Sequence, residues 1–354
     1  MKSMYIHIPF CSSICSYCDF CKFFYNEKTA NKYIDSLINE IKENYKNEKM
    51  DTIYIGGGTP SALTIEQLDK LLSFIKDNIN VSRSLEYTIE CNIMDITKEK
   101  LELFRKYKIN RLSIGVESFN SKNLDFLERN YNKKDIIERI TLAKFYFTNI
   151  NIDLMYAIPF ETITILKKDL LEFINLDIPH ISCYSLIIED HTKLGIKKTN
   201  YIDSDLDYKM YKLIENTLEE NGYDHYEISN YSKEGYESKH NLCYWKNHKY
   251  YGFGLGASGY IDNYRYTNTK NINKYINGNY IDIKEIITKE INASNYAILG
   301  LRTKYGINKK EFKKEIGINF KDMYDTSDLS ETKDSFYLDK SKWYIENSIL
   351  VKFI

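Results

Sequence analysis

Hydrophobic and polar positions follow two alternating patterns along roughly the first half of the chain. Short apolar, β-branched or aromatic runs predict six strands, at 3–10, 52–56, 86–91, 111–118, 150–159 and 180–188. Between them, segments such as 32–45 and 64–78 carry apolar residues at three- and four-residue spacing, which predicts amphipathic helices. Thr64 followed by Gln67 fits a capping box at the start of the second helix.

Six strand–helix units predict an α/β fold built on a parallel sheet. We expect a partial (β/α)6 TIM-like barrel, two units short of the eight in a full barrel. A doubly wound open sheet is the alternative that the same alternation allows. In either architecture, functional groups collect at the C-terminal ends of the strands.

The pattern changes after residue 200. A helix is predicted at 205–223, and the barrel is expected to occupy 1–230. Segment 231–283 is rich in Gly, Tyr and Asn with little periodicity, which predicts an irregular connecting or cap region. Residues 284–354 suggest a small, mainly helical C-terminal domain that ends in a strand or hairpin arm.

Charge and hydropathy narrow the class of protein. Lys and Arg (49) balance Asp and Glu (50), and a formal charge of -1 argues against a nucleic-acid or anionic-membrane partner. The N-terminus has no signal-peptide pattern and no apolar stretch reaches about 18 residues, so we expect a cytoplasmic protein. In a reducing compartment, clustered cysteines indicate metal or redox chemistry before disulfides.

Four cysteines lie together directly after the first strand. Cys11, Cys15 and Cys18 have the spacing C-x3-C-x2-C, which lets three thiolates bind three irons of one cubane cluster. The fourth iron is then free to bind a small molecule. A closed zinc site that also uses Cys21 is the alternative.

Special residues also follow the other strands. The run GGGTP at 56–60 allows a ligand to approach the backbone closely, and it is neither a dinucleotide fingerprint nor a P-loop. Glu90, Glu117 and Asp153 lie at or near the ends of the third, fourth and fifth strands. We therefore expect these groups to meet at one edge of the sheet.

At these residues the chain resembles the radical S-adenosylmethionine (SAM) superfamily. The resemblance lies in YIHIPFCSSICSYCDF and GGGTP, since that superfamily holds a [4Fe-4S] cluster with C-x3-C-x-aromatic-C and binds SAM through the open iron. More narrowly, the chain resembles the oxygen-independent coproporphyrinogen oxidase family and its haem-chaperone branch, the HemW type. That likeness runs in order from Tyr5 to about residue 350, through LSIGVESFNSKNLDFLERN, NIDLMYAIPFET, HISCYSLIIED, YEISNYSKEGYESKHNLCYW and GFGLGASGY. It implies that residues 284–354 form the family's small, mainly helical, winged-helix-like domain.

The resemblance implies a set of site residues, none of them a certain catalytic group. Cys11, Cys15 and Cys18 would bind the cluster, with Tyr5 and Tyr17 packed beside it. The SAM site would be completed by Gly57, Gly58, Thr59, Glu90, Glu117, Arg129 and Asp153. In that set Arg129 would face the SAM carboxylate. The family usually has Gln where this chain has Glu117, and a carboxylate accepts hydrogen bonds but cannot donate them.

Two features favour the chaperone branch over the oxidase branch. Oxidases carry a fourth Cys in a C-x-C pair and an N-terminal extension, whereas here Asp19 and Phe20 follow Cys18, and Cys11 is close to the first residue. The second feature is the block HNLCYW, 240–245, which matches the chaperones' H-N-x-x-Y-W.

In that block, His240 would offer an imidazole to haem iron while Tyr244 and Trp245 cover the macrocycle. The alternative is a hydrogen-bonded histidine that Trp245 anchors in a loop. Many relatives have His where this chain has Ser258.

The expected function is therefore that of a haem chaperone that holds a [4Fe-4S] cluster, SAM and haem, and passes haem to an apo haemoprotein. A low-potential electron donor and a homodimer are further expected partners, and membrane contact would come only through the recipient. The alternative is an oxygen-independent coproporphyrinogen III oxidase, which uses a SAM-derived radical to decarboxylate two propionates. A zinc-thiolate structural or nucleic-acid module fits neither the charge balance nor the strand-end residues.

Overall fold

The computed structural model describes residues 1–354 and contains seventeen strands. They are β1 (Ser3–Ile8), β2 (Phe10–Cys11), β3 (Phe23–Phe24), β4 (Met50–Gly57), β5 (Val81–Asn92), β6 (Arg111–Glu117), β7 (Ile150–Tyr156), β8 (His180–Ser185), β9 (Asp224–Glu227), β10 (Asn230–Ser232), β11 (Tyr250–Phe253), β12 (Ser258–Ile261), β13 (Tyr264–Asn268), β14 (Ile281–Ile286), β15 (Ile307–Asn308), β16 (Ser330–Glu331) and β17 (Ser335–Tyr337).

Thirteen α-helices alternate with these strands and follow them. They are α1 (Glu27–Asn44), α2 (Ile65–Asn78), α3 (Lys98–Lys106), α4 (Ser121–Phe126), α5 (Lys133–Tyr146), α6 (Ile163–Asn175), α7 (Lys193–Ile196), α8 (Ser204–Glu220), α9 (Lys239–Trp245), α10 (Ile272–Ile276), α11 (Lys289–Gly300), α12 (Lys309–Ile316) and α13 (Glu346–Leu350). No helix is both long and apolar enough to cross a membrane.

The six predicted strands are present as β1 and β4 to β8, and they run parallel in chain order. The full sheet has twelve strands in the order β14-β13-β12-β11-β1-β4-β5-β6-β7-β8-β10-β9. Its two edge strands, β14 and β9, do not pair with each other, so the sheet forms a partial barrel. The predicted capping box is confirmed, because Thr64 and Gln67 exchange side-chain and backbone hydrogen bonds at the start of α2.

A large apolar cluster of 60 buried residues forms where the helices pack on the sheet. Its members come from alternate positions of the strands and from one face of each helix, which is the burial that the sequence pattern predicts. The other positions of the strands point to the inside of the barrel, where many of them are polar. The inside of the barrel is therefore available for a functional site.

The prediction of an irregular region at 231–283 was wrong. This segment forms α9, α10 and four strands, of which β11 joins the sheet parallel to β1 while β12, β13 and β14 add antiparallel strands. Glu40 of α1 ties the segment to the barrel, because its carboxylate accepts hydrogen bonds from the Gly254 amide (2.8 Å), the Asn268 side chain (2.6 Å) and the Tyr275 hydroxyl (2.5 Å). Tertiary contacts thus stabilise strands whose local composition is typical of loops.

The C-terminal part has its own apolar cluster of 13 buried residues around Phe312 and Trp343. It combines α11, α12 and α13 with the small sheet β15-β17-β16. The predicted terminal strand or hairpin arm is not formed, since residues 340–353 are helical throughout, as two 3-10 turns around α13. The aromatic and aliphatic residues of this segment are therefore buried at helical spacing rather than on a sheet.

Candidate functional site

One cavity of about 690 Å³ occupies the inside of the barrel and reaches the C-terminal part. Cys11, Cys15 and Cys18 line one end of it. The loop that carries them is held by parallel pairing of β2 with β3 and by Ser16, whose hydroxyl donates to the Phe126 carbonyl at 2.9 Å. The predicted cluster cysteines are therefore brought together at the C-terminal ends of the strands.

The three thiols do not form a site for a single metal ion. No group of three or more His, Cys, Asp or Glu side chains converges on a single ion position, and a cubane cluster does not require this because each thiolate binds a different iron. Burial raises the pKa of the Cys11 thiol to about 11 and also raises the pKa of Cys15 and Cys18. The positive charge of Arg129 opposes this increase at all three thiols, but its effect is smaller. Metal binding selects the thiolate form and offsets the cost of burial.

Cys21 is separated from the other three cysteines. It does not line the cavity, and it packs against Gly256, where an added Cβ would come within 3.0 Å of the Cys21 Cβ. Its carbonyl oxygen lies 2.8 Å from Nε2 of His7, which fixes the end of the loop. This geometry does not fit the four-thiolate zinc alternative.

Gly57 and Gly58 make room for the cluster end of the cavity. A Cβ on Gly58 would lie 2.9 Å from the Cys11 sulfur, and a Cβ on Gly57, where φ is +116°, would lie 2.5 Å from the His7 ring. The hydroxyl of Thr59 donates to the Cys11 sulfur at 3.4 Å. The glycines after β4 are thus required by close packing, in addition to any ligand contact.

Glu117 and Arg129 form a buried ion pair, with 7% and 11% of their side chains exposed. Arg129 also donates to the Tyr17 hydroxyl at 2.8 Å. Glu117 ends β6 with φ of +64°, in the left-handed region, which turns its side chain into the cavity. The guanidinium predicted to face a SAM carboxylate therefore already has an internal carboxylate partner.

Glu90 and Asp153 line the middle of the cavity. Glu90 accepts from the Tyr54 hydroxyl at 2.7 Å and from the Gly57 amide at 2.8 Å, so that both of its oxygens are engaged. Asp153 accepts from the Asn151 side chain at 2.9 Å. Burial raises the pKa of both carboxyl groups, and the nearby charge of Glu117 raises that of Asp153 further.

Tyr5 lies deeper than predicted. Its hydroxyl is 2.9 Å from Nδ1 of His7, its ring is 6.2 Å from that of Tyr54, and it does not line the cavity. Tyr17, in contrast, lines the cavity beside the cysteines. Of the two predicted aromatic neighbours of a cluster, only Tyr17 is in direct reach.

The charge of the cavity suits a cationic ligand. Three cationic side chains line it, Lys22, Arg111 and Arg129, against seven acidic ones: Asp19, Glu90, Glu117, Asp153, Glu189, Asp207 and Glu346. A sulfonium and an ammonium group, as SAM carries, are favoured in such a field. The residues present therefore fit SAM as well as a cluster.

The predicted haem residues lie on α9, below this cavity. His240 is 1% exposed, with Nδ1 2.7 Å from the Thr52 hydroxyl and Nε2 2.8 Å from the Tyr244 hydroxyl. Its ring stacks on Tyr54 at 5.0 Å, and burial lowers its pKa to about 3. Packing and two hydrogen bonds therefore hold the ring in this state, as in the alternative of a hydrogen-bonded histidine, and neither ring nitrogen is free.

The start of α9 is fixed by residues from the barrel. Glu86 of β5 accepts from the backbone amides of Lys239 and His240 at 3.0 and 2.9 Å, and the Tyr226 hydroxyl accepts from the Ser238 amide at 3.1 Å. Trp245, at the end of the helix, is half-buried. The structure brings His240 and Tyr244 together and places them apart from the cysteines.

Sequence reasoning missed several polar residues that line the inside of the barrel. They are Tyr54, Arg111, Ser113, Asn151 and Ser182. The signal that could have found them is the period of two: each occupies an inward position of a parallel strand whose other face is apolar. Polar residues at alternate positions of buried strands indicate a solvated or ligand-filled interior.

Comparisons with known proteins agree with this geometry. The family described as the radical SAM superfamily matches residues 5–173. The chain is 39% identical over 333 residues to heme chaperone HemW of Lactococcus lactis, covering 91% of this chain and 87% of that protein. It is 37% identical over 349 residues to heme chaperone HemW of Bacillus subtilis, covering 94% and 92%.

Among solved structures, coproporphyrinogen III oxidase (HemN) from Escherichia coli, a radical SAM enzyme, superimposes with a TM-score of 0.86. The alignment covers 99% of this chain and 89% of that one at 20% identity, which supports the fold alone. A partial barrel that gathers three cysteines of a C-x3-C-x2-C loop at the ends of its parallel strands defines a radical SAM protein. Such a protein uses a [4Fe-4S] cluster and SAM. Within that superfamily, this chain belongs to the HemW heme chaperone family.

Proposed function

We propose that this protein is a haem chaperone: it binds haem and delivers it to an apo haemoprotein. The observation that carries the proposal is the match to proteins named heme chaperone HemW across nearly their whole length. The recipient, a low-potential electron donor, a homodimeric state and a cytoplasmic location belong to the same proposal.

The residues at the cysteine end of the cavity have roles in binding the cluster and SAM in this proposal. Cys11, Cys15 and Cys18 would hold the cluster, and the bound cluster supplies an open iron for the amino-acid end of SAM and an electron for its reductive cleavage. Thr59 donates to the Cys11 sulfur and restrains that thiolate. Glu90 and Asp153 are within the same cavity and would accept from the hydroxyl or ammonium groups of SAM.

Phe20 favours the chaperone over the oxidase. It occupies the position where the oxidase branch has its fourth cysteine, and it lines the mouth of the cavity with 66% of its surface exposed. Cys21, one residue further on, is turned away toward Gly256. No thiol of the chain therefore takes the place of the oxidase cysteine, whereas an exposed aromatic ring suits contact with a flat macrocycle.

His240 is the proposed haem ligand, and binding would require a rearrangement. Its Nε2 must exchange the Tyr244 hydroxyl for iron, and α9 must open a path to the ring, since both nitrogens are engaged and the side chain is buried. Glu86 holds the first turn of α9, so the helix end that carries Tyr244 and Trp245 is the part left to move.

The test is anaerobic purification followed by iron and sulfide analysis, haemin titration, transfer of haem to an apo haemoprotein, and a coproporphyrinogen turnover assay. We expect about four iron and four sulfide per chain, haem binding with transfer, and no turnover. Cys18→Ser should lose the iron and Cys21→Ser, its matched control, should keep it. SAM-dependent decarboxylation would establish the oxidase instead, and zinc in place of iron would overturn the whole assignment.

A further inference from the structure

Arg111 is a buried cation that has no partner. It opens strand β6, is 2% exposed and lines the cavity. Its side chain makes no hydrogen bond and no ion pair, and its Nε is enclosed without any acceptor. A guanidinium carries five donors and a fixed charge, so leaving it without a partner inside a protein costs free energy.

The other cations of the cavity have polar partners within the chain. Arg129 is paired with Glu117 and Tyr17, and Lys22 donates to the Cys18 carbonyl oxygen. Arg111 therefore differs from both of them, although it is the most deeply buried of the three. This contrast indicates that its partner comes from outside the chain.

Two other polar residues of the cavity lining already have hydrogen-bond partners. Both oxygens of Glu90 accept hydrogen bonds, from Tyr54 and from a backbone amide. The side-chain oxygen of Asn151 lies 2.6 Å from Nδ1 of His180 and accepts from Ser182 at 3.0 Å. These hydrogen bonds form without Arg111, which lines the same cavity.

We propose that Arg111 binds a carboxylate group of a ligand that enters the cavity. Its planar fork can form two parallel hydrogen bonds to a carboxylate, the geometry in which arginine exceeds lysine. The source consistent with the proposed function, on which the inference rests, is a propionate of haem; the amino-acid carboxylate of SAM, which the open iron is expected to take, is the other outcome of the test.

The position of Arg111 allows either source. Its positive charge lowers the pKa of Glu90, which belongs to the predicted SAM set, and also lowers the pKa of His240, which belongs to the predicted haem set. Both groups are therefore within the range of the Arg111 charge. Arg129 is already paired with Glu117, whereas the Arg111 side chain is buried and has neither an ion pair nor a hydrogen bond.

The experiment compares ligands that differ in the carboxylate, using the anaerobically purified, cluster-loaded protein and Arg111→Met. SAM is matched with 5′-methylthioadenosine, which lacks the amino-acid end, and haemin is matched with haemin dimethyl ester, whose propionates are blocked. We expect Arg111→Met to weaken one carboxylate-bearing ligand by about tenfold or more and to leave its matched analogue unchanged. The pair that responds identifies the source of the carboxylate.

Two controls keep the result specific. Arg105→Met removes an exposed arginine from α3 and should change none of the four affinities. Arg111→Lys keeps the charge but loses the fork, and should recover only part of the affinity. Without ligand, Arg111→Met should unfold at a temperature no lower than the wild type, because it removes an unpaired buried charge.

The proposal is overturned if Arg111→Met leaves the preference for both carboxylate-bearing ligands intact, or if the ligand-free variant is clearly less stable, since the guanidinium would then serve the barrel itself. These outcomes differ from failure of the proposed function. A wild-type protein that binds no haemin would remove the haem chaperone assignment, while the SAM arm would still decide the role of Arg111.

Discussion

Tyr244→Phe separates a haem-binding role of His240 from a structural one. In the ligand-free protein the Tyr244 hydroxyl lies 2.8 Å from Nε2 of His240, the nitrogen proposed to bind iron. Iron can bind this nitrogen only after the hydrogen bond is broken. The substitution removes the hydroxyl and keeps the aromatic ring that packs edge-on against the imidazole at 4.9 Å.

The size of the effect follows from the burial of this contact. A buried hydrogen bond contributes about 1 to 1.5 kcal/mol net. Because the variant no longer breaks this bond on ligation, we expect its haem affinity to rise about 5- to 10-fold. The same change leaves a buried ring nitrogen unsatisfied without haem, so the free energy of unfolding should fall by about 1 to 3 kcal/mol.

Haemin titration monitored by absorbance, together with urea unfolding of the haem-free protein, measures both quantities. Tyr250→Phe is the matched control, since the Tyr250 ring packs 4.6 Å from that of Tyr244 but is not part of the bond to His240. It should change neither value. Unchanged haem affinity in Tyr244→Phe, or wild-type haem binding by His240→Ala, would refute iron ligation by His240.

Three further changes test other parts of the site. Glu117→Gln releases Arg129 from its buried ion pair, so SAM should bind about tenfold more tightly while thermal stability falls; an unchanged SAM affinity in calorimetry would contradict this. Gly58→Ala places a Cβ 2.9 Å from the Cys11 sulfur, and iron content per chain should drop, whereas full iron loading would show that the loop can yield. Burial raises the pKa of Glu227 to about 8; a carboxyl that is protonated when folded and ionised when unfolded loses stability as pH rises. Urea unfolding between pH 5.5 and 7 should therefore show a decrease of about 1.4 kcal/mol per pH unit from this group, which Glu227→Gln removes; equal slopes in both proteins would refute it.

Much of the fold followed from local patterns in the sequence. The six parallel strands are runs of buried β-branched and aliphatic residues, and the capping box at Thr64 marks the start of α2 correctly. The strands β11 to β13 were missed because they have only four or five residues and contain Gly, Tyr and Asn. Their pairing depends on β1 and on Glu40, which lies more than two hundred residues earlier in the chain than Gly254.

Some residues of the site were predictable from the sequence and others were not, again because their contacts come from remote parts of the chain. Spacing alone indicated that Cys11, Cys15 and Cys18 share one cluster, and resemblance extended this to the SAM residues. The state of His240 was not predictable, because its hydrogen-bond partner Thr52 is 188 residues away along the chain. The local sequence of a histidine next to Tyr and Trp is the same whether its ring is free or enclosed in the fold.

The sequence by itself determined which residues face inward, since the periods of two and 3.6 are local properties of strands and helices. It also determined the class of chemistry, because three closely spaced thiols can share a cluster wherever the loop lies. Only the tertiary structure decided which polar groups contact each other. Arg129 has a carboxylate partner, whereas the Arg111 side chain has none. Cys21 packs against Gly256, away from the other three cysteines of its loop. Pairing of buried charges depends on distances between segments remote in the chain, and those distances exist only after the barrel has formed.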